Sequence, residues 1–113
     1  MKEIRAIIQP HMIGKVVQAL HELPHFPGVT ITKCQGQGRG RGHGGAFVLT
    51  EDEIDLHARE RVEIICADEA VDTIVAAIAA SAQTGNPGDG IITITEVQFI
   101  MRIRSGETGA RAV

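Results

Sequence analysis

Four short β-branched runs alternate with two stretches of helical period, and their order leaves few folds open to the chain. Residues 3–8, with Ile4, Ala6, Ile7 and Ile8, read as a strand closed by Pro10. Ile13, Val16, Val17, Leu20 and Leu23 recur at helical spacing, so residues 13–23 form an amphipathic helix that Pro24, Pro27 and Gly28 end. Residues 29–34 alternate as a second strand, and residues 61–67 form a third through Val62, Ile64, Ile65 and Cys66. Asp68 is the expected N-cap of a second helix carrying Val71, Ile74, Val75, Ile78 and Ala82 on one stripe. Residues 84–90 break that helix, and residues 91–95 are a fourth strand. The order βαββαβ predicts an α+β ferredoxin-like sandwich, one domain over residues 1–113. One face of such a sheet lacks helices, and so small a chain has a thin core, so self-association is the expected cover.

Between the second and third strands lies a long insert, residues 36 to about 58. It opens with Gly36-Gln37-Gly38-Arg39-Gly40-Arg41-Gly42-His43-Gly44-Gly45. Glycine lets bare backbone N–H groups approach a ligand, and arginine adds fixed charge in a fork suited to phosphate. By itself the run is either an anion cradle or a basic loop. Two further elements share its chemistry: the turn at residues 84–90, and Arg102 with Arg104, which point to one side if their segment is extended. Two guanidiniums beside two glycine-rich turns would make a polyphosphate site, whereas each element taken singly reads as a turn or a solvated charge pair. The acidic run at residues 51–55 is a solvated or partner-facing loop tip.

Composition narrows the function classes. A formal net charge of −3 and an aromatic content of 3% leave neither the basic excess nor the stacking platforms of a nucleic-acid binder. Cys34 and Cys66 lack CxxC spacing and are expected to be reduced, packed thiols. No secretory h-region and no apolar span of about 20 residues occurs, so a soluble, cytoplasmic protein is expected. No nucleophile–base pair is recognisable, which argues against an enzyme. The metal alternative rests on His43 and His57, two weak candidate ligands inside the insert for a metal-responsive trimeric module.

Taken together, these motifs resemble the PII signal-transduction family of trimeric nucleotide sensors. The likeness runs over residues 2–10, 29–32, 36–39 and 61–64, and closes with 82–85, Gly88-Asp89-Gly90 and Arg102-Ile103-Arg104-Ser105-Gly106-Glu107. It implies a homotrimer with an adenine nucleotide (ADP, AMP or ATP) in the cleft between subunits. Gly36, Gly38 and Arg39 would line the phosphates, and Ile8, Thr30 and Ile65 would surround the base. Gly88, Asp89 and Gly90 would offer backbone groups, Arg59 and Glu63 would complete the site, and Arg102 and Arg104 would reach the phosphates from the neighbouring subunit. Residues 38–59 would be the T-loop, which docks on a protein target such as a membrane transporter or metabolic enzyme. Residues 102–113 would be the C-terminal tail.

The chain also departs from the family pattern. The lysine usual after Gly-Asp-Gly is Ile91, and the lysine near the end of the loop is Arg59. The glutamine that helps hold magnesium and 2-oxoglutarate is Gly40, so both ligands lose that support. The T-loop tyrosine is Asp52, which removes the hydroxyl needed for uridylylation. With fewer phosphate cations, a divergent sensor preferring ADP or AMP is expected.

Overall fold

The computed structural model describes residues 1–38 and 56–113. The strands are β1 (Lys2–Ile8), β2 (Thr30–Gly36), β3 (His57–Cys66) and β4 (Ile91–Glu96), and the helices are α1 (Ile13–His21) and α2 (Val71–Ala82). The four strands form one antiparallel sheet in the order β2-β3-β1-β4, the ferredoxin-like arrangement. Alternation along the strands separates two faces. Ile4, Ala6 and Ile8 of β1 and Val62, Ile64 and Cys66 of β3 are buried against Val16 and Leu20 of α1 and Ile74, Ile78 and Ala82 of α2. Glu3, Arg5 and Ile7, with Arg61, Glu63 and Ile65, lie on the face without helices.

Three boundaries differ from expectation. Helix α1 stops at His21 instead of Leu23, because Leu23 precedes Pro24 and a residue before proline is pushed out of the helical region. Strand β3 begins at His57, four residues early: its polar start pairs residue for residue with β2, down to Gly36 opposite His57. That pairing draws Arg59 into a strand. Asp68 does not cap α2. Its carboxylate accepts a hydrogen bond from the Met1 ammonium at 2.7 Å, and α2 follows a 3-10 turn, Asp68–Ala70, with Ala70 at its N-cap position. The ammonium also holds the Asp68 carboxyl below its ordinary range.

Both cysteines are free thiols, as expected. Cys66 lies in the core, where burial pushes its thiol upward.

Candidate functional site

One cluster of expected site residues forms where β2 ends and β3 begins. β1 brings Ile7, Ile8 and Gln9 there, and the loop between α2 and β4 brings Gly88, Asp89 and Gly90. Gly90 has φ +104°, and a Cβ at that position would stand 1.7 Å from the Ile7 carbonyl oxygen. Only glycine fits so close to β1. At Gly88, with φ +94°, a Cβ would lie 3.0 Å from Gln9 Nε2 and 3.3 Å from Arg59 Nη2. The loop therefore rests on β1 and on the Arg59 guanidinium, whose Nη1 donates to Ala58 O at 2.7 Å.

Asp89 sets the shape of this loop from within. Its carboxylate accepts from the Thr84 hydroxyl, from Thr84 N–H at 2.8 Å and from Gly85 N–H at 3.0 Å. The Thr84 hydroxyl first, then the two backbone donors, keep the Asp89 carboxyl below its ordinary range. Asp89 thus spends its acceptors on its own loop. Gly36 lies at the same end through its pairing with His57, and Gly38 follows two residues later. Ile91 begins β4 directly after Gly90 and is 64% exposed, an apolar side chain with no charge to offer an anion. Arg59 and the glycine loop make this end a fitting cradle for phosphate.

A second cluster lies farther along the sheet. Thr30 pairs with Glu63 across β2 and β3, and both line a recess of about 300 Å³ with Ile65, Val29, Ile100 and Arg102. Its apolar walls, hydroxyl and carboxylate suit a base with hydrogen-bonding edges better than a polyanion. Arg102 reaches this recess, but Arg104 does not line it. The expectation that the two arginines share one side fails, since their segment is a turn: Gly106 N–H donates to Arg102 O, and Arg102 N–H to Glu107 O, both at 2.8 Å. Ser105 and Gly106, with φ +73° at the glycine, favour that turn.

The two clusters stand well apart. From Arg59 to Glu63, the nearest pair, is four residues of β3, about 13 Å at strand rise, and to Ile65 six residues, about 20 Å. A belt of charge runs along the open face up to the recess, which Glu3 and Glu63 also line. Arg5 Nη2 is 3.2 Å from Glu3 and 3.9 Å from Glu63, and Arg61 Nε is 2.9 Å from Glu63 Oε1 at an angle poor for a hydrogen bond.

Ile8 also requires a correction. At 2% exposure its side chain belongs to the core, whereas Ile7 is half-buried on the open face. Ile7 and Gln9 are the residues that sequence reasoning missed. The alternation that buries Ile4, Ala6 and Ile8 was the available signal for Ile7; none existed for Gln9.

Arg39, Gly40, His43, Asp52 and most of the expected T-loop lie outside the described residues. Among the described residues no group of three His, Cys, Asp or Glu side chains could hold a metal ion, and no helix is long and apolar enough to cross a membrane.

Comparison with known proteins agrees with the motif order. The family model for nitrogen regulatory protein P-II matches residues 1–107. The chain is 44% identical over 113 residues to nitrogen regulatory protein P-II 2 of Methanothermobacter thermautotrophicus, covering all of this chain and 97% of that one. It is 40% identical to nitrogen regulatory protein P-II of Rhizobium meliloti and 38% identical to that of Azospirillum brasilense, each over the full length of both chains. These are regulatory proteins, in keeping with the absence of a recognisable nucleophile–base pair in the sequence. The chain belongs to the P-II family of nitrogen regulatory proteins.

Proposed function

We propose that this chain is a nucleotide-sensing P-II regulator in which an adenine nucleotide occupies a cleft shared between two copies of a homotrimer. The phosphates lie at the Arg59 and Gly88–Gly90 end of one protomer. The base lies at the Thr30, Glu63 and Ile65 end of another, where Ile7 of the first protomer takes the role expected of Ile8. The observation that carries this reading is the spread of the two clusters along β3, from about 13 Å between Arg59 and Glu63 to about 20 Å between Arg59 and Ile65, too long at its far end for one mononucleotide to bridge within a chain. Two copies packed through their open sheet faces and edges bring one end of each together.

ADP or AMP is preferred to ATP, because Ile91 adds no cation beside Gly90. The proposal includes neither 2-oxoglutarate nor a magnesium ion held by the loop base, since Gly40 has no side chain to offer them. Residues 38–59 carry the signal to a protein target, a transporter or a metabolic enzyme of nitrogen metabolism, the setting for which the relatives are named. A ligand that favours one arrangement of that loop shifts which partner binds.

Calorimetry of the purified oligomer with ATP, ADP and AMP tests this reading. The expected result is sub-millimolar binding with ADP or AMP ahead of ATP. Ile91→Lys should strengthen ATP more than ADP, by about tenfold, through one charge-assisted contact. No binding below millimolar by an intact trimer overturns the proposal.

A further inference from the structure

Gln9 stands at the junction of both parts of the phosphate-facing end, and neither its type nor its spacing marks it. Its backbone is fixed: φ is −66° and ψ 135°, Pro10 follows, and the Gln9 carbonyl accepts from Met12 N–H at 3.0 Å. From this anchored position Nε2 donates to Gly88 O at 2.8 Å. The opposite amide orientation would set two oxygens against each other. The same Nε2 lies 3.0 Å from where a Gly88 Cβ would stand, and Arg59 Nη2 lies 3.3 Å from that point. Gly88 is thus held between an amide and a guanidinium.

We infer that Gln9 is a positioning residue for phosphate recognition, acting through the Gly88–Asp89 peptide beside Arg59; this rests on the nucleotide reading above. A peptide unit is planar and trans, so its carbonyl and N–H point in opposite directions. Drawing the Gly88 carbonyl toward Gln9 turns the Asp89 N–H away from β1, as a donor for an anion approaching from outside. The Asp89 carboxylate, bound back to Thr84 and Gly85, keeps its charge off that approach. Gln9 sets the orientation of the donor, and Arg59 supplies the charge beside it. The ligand class is a short polyphosphate on a nucleoside.

The test uses the full-length protein with Gln9→Met, which keeps the length but removes the donor, and Gln9→Lys, which keeps a donor. Gln9→Met should weaken ADP by about five- to tenfold, the loss of one hydrogen bond that orients a second, and weaken adenosine far less. Gln9→Lys should retain ADP binding. Equal losses for ADP and adenosine, or no loss for ADP, overturn the inference and leave the nucleotide reading standing. Backbone amide chemical shifts of the ligand-free proteins separate the two claims. Altered shifts at Asp89 and Gly90 in Gln9→Met are expected as the Gly88–Asp89 peptide reorients, and unchanged shifts overturn the clamp. A wild-type protein that binds no ADP yet shows this shift difference defeats the nucleotide reading and keeps the clamp as a structural device.

Discussion

At the Arg59 end of the sheet the glycine loop is held by Gln9, by Arg59, by close contact with the Ile7 carbonyl and by the inward hydrogen bonds of Asp89. At the Glu63 end the recess is closed on one side by Ile100 and by Arg102, which opens a turn whose Ile103 is 98% exposed. The first end is shaped before any ligand arrives, and the second waits for something to cover it. Charged groups must be aimed accurately to bind an anion, and ordering them in advance lowers the cost of binding. An apolar recess needs mainly a lid, and in the proposed shared cleft a neighbouring copy would supply it.

Two glycines of similar backbone conformation give the sharpest test of this contrast. Gly90 (φ +104°) meets the Ile7 carbonyl, while Gly28 (φ +108°), on the recess wall, has nothing within 4 Å of its Cβ position. Gly90→Ala should cost about 3 kcal/mol or more, since contact and strain add, and Gly28→Ala only about 1 kcal/mol of strain. Denaturant titration of both variants checks this. Equal costs break the comparison.

Asp89→Ala comes next. Amide exchange at Thr84 and Gly85 should accelerate while the Thr30–Glu63 pairing stays protected. The pH dependence follows from the lowered carboxyl. The bracing is full above the ordinary value of 3.8 and is lost as the pH falls through the lower folded value. Protection at Thr84, taken relative to the intrinsic exchange rate at each pH, that does not fall through that window contradicts this account of the loop.

The smallest effect belongs to the turn before β2. His25 has φ 59°, a conformation that costs a side-chain-bearing residue about 1–2 kcal/mol. Glycine relieves that strain but adds unfolded-state entropy worth about 0.4–1 kcal/mol, so His25→Gly should stabilise by about 0.5 kcal/mol. A lowered thermal midpoint contradicts this account of strain at His25.

Much of the fold was legible in the sequence. Ile4, Ala6 and Ile8, with Val62 and Ile64, obey the two-residue period, and Val16 with Leu20 and Ile74 with Ile78 obey the helical one. Those positions are buried for the reason that made them visible. Arg59 was misplaced at a loop end because His57-Ala58-Arg59-Glu60 carries no β signal of its own, and its strand exists through pairing with β2. Arg102 and Arg104 were misjudged because their side directions assumed an extended chain, and the Ser105-Gly106 turn removes that premise. Gly88, Asp89 and Gly90 could be picked out by type. Their support by Gln9 comes from residues far apart in the chain and left no local trace.

The central claim is that one ligand site is built from two copies. Arg59→Ala should disable the phosphate end, and Arg102→Ala should disable the recess end. Each variant alone should bind ADP weakly, but co-refolded at equal amounts they should recover tight binding at about a quarter of the clefts, since random assembly pairs an intact end of one with an intact end of the other at that frequency. Calorimetric stoichiometry reads this directly. Recovery of wild-type affinity at that reduced stoichiometry is the predicted result. No recovery in a mixed oligomer, with both variants folded, contradicts the shared site.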